Sequence, residues 1–372
     1  MAAYLRAIVP AIADAGHRVT VIANAKEART FDAENGRVAV RHIRLPALHW
    51  YSAKLPLVRS CTPLPLRQLE WSRAFYREAA RVAAERKIDV IESTETGSLF
   101  LNRVAPLVIR LHGSEKTFRQ HSGLPVNPSV RWNDGLEAIA CKRASAITSP
   151  SRSHANEMSR HRGWPDGKVQ VIANPISQEL LNAAAAFQRN GKNDRIVLYA
   201  GRLAPVKGIE TLIEAAKLVR ATDPSIKFVF AGPWQMPKTP QVFGLSFNDA
   251  KPNGLQWVGP QNQTELIDWY KRASAVVIPS NYESFGIIAV EASAFGLPIV
   301  ATDVGEVREL VDRKNLVPRN NPQALSNAIM NVVAGKNSET TAAPEFCLQQ
   351  YQPARIAMQT LKVYQRLVDA SE

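Results

Sequence analysis

Two carboxylates, at positions 283 and 291, give this sequence its clearest sign of chemistry. Glu283 and Glu291 lie in the stretch 279–298, PSNYESFGIIAVEASAFGLP, which is otherwise almost wholly apolar after its first turn. The small polar residues at its start and Gly296 near its end are typical of the two ends of a helix. A helix that is apolar on nearly every side is normally buried, so a carboxylate on it needs a partner.

Gly286 lies between these carboxylates, close to the start of the predicted helix. The free N–H groups of a first helical turn suit an anion, and a glycine lets a ligand approach them closely. Carboxylates on either side of such amides predict a ligand that is hydroxyl-rich at both ends and anionic in the middle, as a nucleotide-sugar is. In the alternative interpretation, Glu291 pairs with a buried Arg or Lys, and Glu283 is a solvated capping residue.

A second motif carries two cations. In GRLAPVKG (201–208), Arg202 and Lys207 flank a turn that begins a helix, so both charges and the free amides face one point. A guanidinium group forms bidentate hydrogen bonds and an ammonium group acts as a point charge, and both suit a diphosphate. The alternative is a solvated basic loop in a basic protein.

These segments together resemble a known enzyme family. ESFGIIAVE resembles the E-x7-E motif of the retaining glycosyltransferases of family 4, which have the GT-B fold, and GRLAPVKG resembles the strand-to-helix signature of that family. The flanking VVIPSNYESFG and ASAFGLPIVATDVGEVREL extend the resemblance, which is sharpest from 196 to 311. It implies transfer of a hexose from a nucleoside diphosphate sugar to a carbohydrate or lipid-linked acceptor, with retention of anomeric configuration, in polysaccharide, glycolipid or cell-envelope glycan synthesis.

The resemblance also implies a role for each site residue. Arg202 and Lys207 would stabilise the leaving nucleoside diphosphate, where negative charge develops as the glycosidic bond breaks. Glu291 would accept hydrogen bonds from the ribose hydroxyls, and Glu283 would hold the sugar. The phosphate would lie against the backbone amides of Phe285, Gly286 and Ile287.

A histidine in the first half of the chain is a further candidate. PLVIRLHG (106–113) predicts a buried strand that ends at His112 and Gly113, and α/β folds place their ligands at the carboxyl ends of strands. A lone histidine is more often structural. By resemblance, His112 would lie against the transferred hexose, with Gly113 beside the donor.

The order of predicted elements indicates two α/β domains. Apolar β-branched runs alternate with amphipathic helices in both halves, as in doubly wound parallel sheets. The resemblance implies two Rossmann-like domains that face a cleft: an acceptor-binding domain at 1–182 and a nucleotide-sugar-binding domain at 190–350. Residues 183–193 have linker composition, 234–254 predict a long loop, and the last helix (353–372) would pack back on the first domain.

The chain begins inside a helix pattern, with Leu5, Ile8, Val9 and Ile12 on one face and Gly16 after it. In the resembling family a strand and a Gly-rich loop precede this helix. We therefore expect the first domain to lack its first, central strand, which would leave the neighbouring strands with unpaired edges. This departure leaves a truncated or non-catalytic nucleotide-sugar-binding protein as an alternative, beside a nucleotide-sugar epimerase of the same fold.

Net charge is +13, and residues 1–179 hold 26 Lys and Arg against 16 Asp and Glu. The basic surplus continues through 41–87, where Trp50, Tyr51, Leu55, Leu57 and Val58 lie among basic residues and where Glu70 to Lys87 predict an amphipathic helix. Basic and aromatic residues interleaved in this way favour an anionic membrane surface as a partner. The alternative, a solvated rim beside a core-facing helix, is the commoner origin of such a pattern.

Several other classes find no support in the sequence. There is no apolar run long enough to cross a bilayer, no secretory signal and no nucleic-acid-binding signature. Only 3 cysteines, far apart, predict a reducing, cytoplasmic compartment. An Asp-x-Asp pair, a G-x-G-x-x-G motif and a P-loop are all missing, so we expect neither a metal nor any cofactor besides the donor. The sugar, the base and the acceptor stay open.

Overall fold

A computed structural model describes residues 2–27, 29–33, 36–55, 61–188, 194–247, 254–336 and 344–370. The chain forms two compact units: Met1–Pro175 with Pro353–Glu372, and Ile176–Gln352. Parts of three predicted segments lie outside the described residues: 189–193 of the linker, 248–253 of the long loop, and Leu57 and Val58 of the basic segment.

The first unit alternates strands and helices. Its strands are β1 (Val19–Asn24), β2 (Arg29–Ala33), β3 (Val38–Ile43), β4 (Ile91–Ser93), β5 (Leu107–Arg110), β6 (Ala146–Ser149) and β7 (Val169–Val171). Its helices before the second unit are α1 (Ala2–Asp14), α2 (Leu48–Lys54), α3 (Pro63–Glu85), α4 (Glu115–His121), α5 (Pro128–Arg143) and α6 (Arg152–Arg162), with a 3₁₀ turn at Leu101–Arg103.

These strands form two sheets. One has the order β1-β3-β2, with β2 antiparallel to β3, and the other is the parallel sheet β4-β5-β6-β7. Within the described residues, β1 pairs only with β3 and β4 pairs only with β5, so each has one edge without a strand partner. The two sheets nevertheless contribute to the same hydrophobic clusters. Val19 of β1 packs in one cluster with Val108 of β5, and Ile22 of β1 packs in another with Leu107 of β5.

Helix α3 begins seven residues earlier than the sequence predicts. The sequence predicts its start at Glu70, but Pro63 and Pro65 both lie in the first helical turn. A proline there costs nothing, since the first N–H groups of a helix have no intrahelical partner. Helix α2, which was not predicted, packs on α3, and His49 Nδ1 lies 2.8 Å from the carboxylate of Glu70.

The second unit has a larger sheet. Its strands are β8 (Ile196–Ala200), β9 (Lys227–Ala231), β10 (Ser246–Phe247), β11 (Leu255–Gly259), β12 (Ala273–Ile278), β13 (Ile299–Thr302) and β14 (Leu316–Val317). Its helices are α7 (Gln178–Ala185), α8 (Ile209–Thr222), α9 (Gln263–Arg272), α10 (Ile287–Ala294), α11 (Val307–Leu310), α12 (Pro322–Val333) and α13 (Pro344–Gln350), with 3₁₀ turns at Pro205–Lys207, Pro240–Phe243 and Arg313–Asn315.

The seven strands pair in the order β10-β11-β9-β8-β12-β13-β14, and every pair is parallel. From β8 the chain builds the sheet outward through β9, and it then returns to add β12 on the other side of β8. The strand order therefore reverses between β8 and β12. In doubly wound sheets the crevice at the carboxyl ends of such a pair is where ligands bind.

The predicted apolar helix is α10, and residues Ala289–Ala294 are all buried, as the all-round apolar pattern predicts. Helices α11, α12 and α13 and the edge strands β10 and β14 were not predicted. In α12 the buried face (Leu325, Ala328, Ile329, Val332) has a clear helical spacing, so this helix could have been found from the sequence.

The last helix, α14 (Pro353–Asp369), belongs to the first unit and packs along α1. The Tyr364 hydroxyl donates to Glu92 Oε2 at 2.9 Å, and the Tyr4 hydroxyl donates to Glu92 Oε1 at 2.8 Å. Arg110, fully buried, lies with its guanidinium carbon 4.2 Å from the centre of the Tyr4 ring. The half-buried carboxylate of Glu92 thus ties α1 and α14 to β4, the strand on which it lies.

Candidate functional site

A pocket lies where the strand order of the large sheet reverses. Its volume is about 140 Å³, and it opens at the carboxyl ends of β8 and β12. It is lined by Tyr199, Ala200, Gly201, Lys207, Val277, Ile278, Ser280, Glu283, Ile287 and Ile288. The β8 end, the turn before α8, the loop after β12 and the first turn of α10 therefore meet around one small space.

Lys207 and Glu283, 76 positions apart in the sequence, form an ion pair in this pocket. Lys207 Nζ lies 2.6 Å from Glu283 Oε1, and the side chains are only 17% and 14% exposed. The Ser280 hydroxyl donates to the same Oε1 at 2.8 Å. The ammonium group has three donors, so its pairing with Glu283 leaves two for a ligand, and within the described residues Glu283 Oε2 has no hydrogen bond.

Two glycines allow the loops around this ion pair to touch. A Cβ atom on Gly208 would lie 1.9 Å from the carbonyl oxygen of Pro279, and one on Gly305 would lie 2.3 Å from the carbonyl oxygen of Glu283. Gly208 also has a φ of 65°, which L-residues rarely adopt. The loop after β12 therefore rests directly on the turn that carries Lys207.

The first turn of α10 faces the same pocket. Gly286 is the N-cap residue with a φ of 84°, and Ile287 and Ile288 line the pocket directly after it. Phe285 is buried and contacts the Tyr351 ring edge-on, with the ring centroids 5.8 Å apart. The N-terminus of a helix attracts anions through its dipole and its free N–H groups, so the pocket joins a cation with amide donors.

Glu291 lies one helical turn further along α10, away from the residues that line the pocket. It is 8% exposed, and Glu291 Oε2 accepts a hydrogen bond of 2.7 Å from the Tyr270 hydroxyl. Burial raises the pKa of Glu291 to about 7, although the Tyr270 hydrogen bond opposes that rise. Among the described residues no cation pairs with Glu291, in contrast to the alternative that a buried Arg or Lys would do so.

Tyr270 was not identified from the sequence. It is fully buried at the end of α9, and its ring stacks on Phe295 with the centroids 5.4 Å apart and the planes at 22°. Burial, and next the nearby Glu291 charge, raise the pKa of Tyr270 well above its ordinary value, so the hydroxyl keeps its proton and acts as a donor. Its pairing with Glu291 arises from tertiary packing, which no local motif signals.

Arg202 is exposed and does not line the pocket. Its carbonyl oxygen accepts a hydrogen bond of 2.7 Å from the Tyr199 hydroxyl, which fixes the backbone between β8 and Lys207. The structure thus brings together Lys207, Glu283 and Ile287. Arg202 stands beside them, with its side chain in solvent.

His112 and Gly113 lie in the first unit, directly after β5. The His112 side chain is half-buried, and its desolvation lowers the pKa of the imidazole to about 3 and keeps the ring neutral. His112 Nε2 has no hydrogen-bond partner within the described residues. The backbone N–H of His112 donates to Glu95 Oε1 at 3.1 Å. Glu95, which was not singled out in the sequence, is therefore the carboxylate nearest to this loop.

Within the described part of the chain, no group of three or more His, Cys, Asp and Glu residues could hold a metal ion. The same residues include no helix that is both long and apolar enough to cross a membrane. Whether the reaction needs a metal stays a prediction from the sequence.

The protein has two parallel-sheet α/β units, and the second has a polar pocket where its strand order reverses. These features define the class of two-domain proteins to which the GT-B fold belongs. The family described as Glycosyl transferases group 1 matches residues 183–344, and Glycosyltransferase Family 4 matches residues 1–180. The chain belongs to the family 4 glycosyltransferases and has the GT-B fold. Both the resemblance and the fold class predicted from the motifs are confirmed.

Curated relatives are glycosyl-transferring enzymes. The chain is 29% identical over 206 residues to the glycogen synthase of Mycobacterium tuberculosis (strain ATCC 25618 / H37Rv), which covers 55% of this chain and 48% of that protein. It is 30% identical over 281 residues to the D-inositol 3-phosphate glycosyltransferase of Jonesia denitrificans, which covers 70% of this chain and 66% of that protein. The chain thus matches about half to two thirds of the length of these relatives.

Solved structures agree with this fold. The sucrose-phosphate synthase of Thermosynechococcus elongatus superposes with a TM-score of 0.70 at 21% identity, covering 99% of this chain and 93% of that one. Anabaena Alr3699/HepE, solved in complex with UDP and glucose, superposes with a TM-score of 0.66 at 19% identity, covering 99% of this chain and 96% of that one.

Proposed function

We propose that this chain is a retaining glycosyltransferase that moves a hexose from a nucleoside diphosphate sugar to a carbohydrate or lipid-linked acceptor. The observation that carries the proposal is the ion pair of Lys207 and Glu283 inside the pocket at the β8–β12 reversal. Membership of the family and the UDP and glucose complex of a structurally similar protein support it.

In this proposal the second unit holds the donor. The two remaining ammonium N–H groups of Lys207 and the amides at the start of α10 bind the diphosphate, and Arg202 adds a second cation from solvent. Glu283 Oε2 accepts a hydrogen bond from a hydroxyl of the hexose, and the Glu291 carboxylate accepts hydrogen bonds from the ribose hydroxyls. These cations and amides are in place before the glycosidic bond breaks, so they stabilise the charge that develops on the leaving diphosphate.

Donor hydrolysis tests this assignment. The full chain is incubated with a panel of UDP-glucose, ADP-glucose, UDP-N-acetylglucosamine and GDP-mannose, and nucleoside diphosphate release is measured for wild type and Glu283→Ala. We expect one donor to be hydrolysed, and Glu283→Ala to lower that rate at least ~100-fold. The matched control is Glu214→Ala, whose side chain is 57% exposed and pairs with Lys217 on α8.

The same assay separates the alternatives. A binding protein without activity would retain donor affinity and release no diphosphate from any donor of the panel. An epimerase would convert the donor sugar with no net release of nucleoside diphosphate, because its product keeps the bond between the sugar and the diphosphate. For a retaining enzyme, the first hexose released has the anomeric configuration of the donor in the NMR spectrum, and an inverted product would refute retention.

We further propose that this enzyme works peripherally at an anionic membrane, on its cytoplasmic face. On helix α2, the residues Leu48, Trp50 and Tyr51 are 62%, 67% and 68% exposed. The Lys54 Nζ atom lies 6.0 Å from the centre of the Tyr51 ring. Exposed aromatics beside exposed cations suit the interface of an anionic bilayer. Part of the basic surplus is already neutralised, because Arg41 pairs with carboxylates of α3.

Vesicle co-sedimentation checks this surface. We expect binding to vesicles of phosphatidylcholine and phosphatidylglycerol at low salt, weakening as salt screens the charges, and loss of binding in a Trp50→Ser, Tyr51→Ser double variant. Leu218→Ser is a control, since Leu218 is 40% exposed on α8 of the second unit. Equal sedimentation of wild type and the double variant would show that α2 is only a solvated surface.

A further inference from the structure

Glu95 is a buried acid that faces the loop of His112. It follows β4, is 3% exposed, and receives the backbone N–H of His112 at 3.1 Å on Oε1 and 3.4 Å on Oε2. The backbone N–H of Gly113 lies close enough to favour the charged form of the same carboxylate. The Glu95 carboxylate thus accepts a backbone amide of the loop that follows β5.

The backbone of Glu95 is itself held in place. Gln68 Nε2 on α3 donates to the Glu95 carbonyl oxygen at 2.9 Å, and the Ser98 hydroxyl donates to the same oxygen at 3.1 Å. Gln68 Oε1 in turn accepts the Gly97 N–H at 3.0 Å, and Gln68 is fully buried. These bonds hold Glu95 on a fixed backbone, so its carboxylate can hold the His112 loop.

Charged groups surround this carboxylate on several sides. Arg162 on α6 lies 3.0 Å from Asp134 and 3.8 Å from Glu137, and Asn133 donates to Glu137 at 2.8 Å. The titratable and charged groups that face Glu95, directly or through this network, are Asp134, Glu137 and Cys141 on α5, His161 and Arg162 on α6, Lys116 on α4, and His112 itself.

Burial and like charge act on the acids of this cluster. Burial raises the pKa of Glu95, and the backbone N–H groups of His112 and Gly113 limit that rise. Burial and then the Glu95 charge raise the pKa of Glu137 to about 8. Glu137 is therefore protonated at neutral pH, whereas the nearby Arg162 charge favours the ionised form of Glu95.

We propose that Glu95 is a positioning residue for His112: its buried carboxylate accepts the backbone N–H of His112 and so fixes the imidazole at the end of β5. This proposal rests on the proposed function and on the role that the family resemblance implies for His112, beside the transferred hexose. It deepens that function by naming the group that holds His112 in its reactive place.

The proposal has a consequence for pH dependence. The ionised carboxylate accepts N–H groups better than the protonated acid does, so the loop loosens as pH falls through the raised pKa of Glu95. His112 keeps a neutral ring down to a pKa of about 3, so it does not titrate in that window. At saturating donor, an acid limb of kcat that Glu95→Gln abolishes therefore reports Glu95.

Glu95→Gln tests the positioning role, because glutamine keeps the shape of the side chain and cannot titrate. Two measurements on the full chain are needed: amide hydrogen exchange at His112 and Gly113, and kcat for hydrolysis of the panel's active donor from pH 4.5 to 8. The matched control is Glu78→Gln, a 9% exposed acid of α3 that pairs with Arg41 and Arg81.

We expect amide exchange at His112 and Gly113 to accelerate at least ~10-fold in Glu95→Gln and to stay unchanged in Glu78→Gln. We expect kcat at pH 7.5 to fall ~10-fold in Glu95→Gln, with its acid limb abolished. In a His112→Ala background, Glu95→Gln should lower kcat no further, since a positioning residue acts only through the group it positions.

Failure of the proposal and failure of the proposed function are distinguishable. Unchanged exchange at both amides, or an unaltered acid limb, in Glu95→Gln would overturn the positioning role even in an active enzyme. An additive loss in the double variant would also overturn it. Full donor hydrolysis by His112→Ala would overturn the assignment of His112, and with it the catalytic meaning of the inference, whereas the exchange data would still report on the loop.

Discussion

Replacing Glu291 with glutamine should stabilise the protein while weakening the donor site. Glu291 is 8% exposed, its carboxylate receives one hydrogen bond from Tyr270, and its pKa is raised from 4.5 to about 7. A carboxyl group with a raised pKa in the folded state is costly to ionise there. The folded chain therefore holds the proton between pH 4.5 and about 7, where the unfolded chain has already released it.

The sign and size of the effect follow from that window. The free-energy cost of ionising Glu291 in the folded chain is absent below pH 4.5, grows as pH rises, and is complete above about 7. It amounts to about 3 kcal/mol of unfolding free energy at most. Glutamine keeps the acceptor for Tyr270 but buries an amide N–H₂, so we expect a net gain of about 2 kcal/mol at pH 8.5, or about 3 °C in Tm.

Thermal unfolding of wild type and Glu291→Gln at pH 5 and pH 8.5 measures this difference. We expect the two proteins to melt close together at pH 5 and to separate at pH 8.5, with Glu214→Gln, an exposed glutamate of α8, behaving as wild type at both values. A Tm difference that does not change between pH 5 and pH 8.5 would refute the burial argument. Donor KM should rise in the variant at pH 8.5, since an amide accepts the ribose hydroxyls less well than a carboxylate.

Two further predictions concern the neighbours of this site. Tyr270→Phe removes the hydrogen bond that lowers the pKa of Glu291, so that pKa should rise above about 7. In a pH profile of donor KM, the pH below which KM rises should therefore move upward. An unmoved profile would contradict the role of Tyr270. Gly208→Ala places a Cβ 1.9 Å from the Pro279 carbonyl and should cost ~3 kcal/mol or more in urea unfolding. Gly335→Ala, at a φ of 80° with nothing within 4 Å, is the control for backbone strain alone, and an equal loss in both would contradict the close contact.

Local patterns were sufficient for much of the fold. The last helix begins at Pro353, the first residue of the predicted range 353–372, and ends at Asp369. Its strong apolar period is visible in the sequence. Helix α3 was misjudged at its start because a proline in the first turn and a proline that breaks a helix look alike without the hydrogen-bond pattern.

The candidate site divides in the same way. Lys207 and Glu283 each stand in a motif that the sequence displays, but their direct pairing at 2.6 Å depends on β8 and β12 being neighbours in the sheet. Ser280, Tyr270 and Glu95 were missed because each acts through a partner distant in sequence or hidden in the core. A serine, a tyrosine or a glutamate in an ordinary element carries no local sign of such a partner.

The sequence by itself determined the family, the two-unit α/β class and the motifs that carry the acidic and basic side chains, because these depend on residue types at short, fixed spacings. Only the tertiary structure decided that Lys207 and Glu283 share one pocket, that Glu291 is bound by Tyr270, and that Glu95 holds the His112 loop. The physical reason is that strand order and burial bring distant residues into contact. These long-range contacts, together with the low polarity of the interior, set which charges are paired and which pKa values shift.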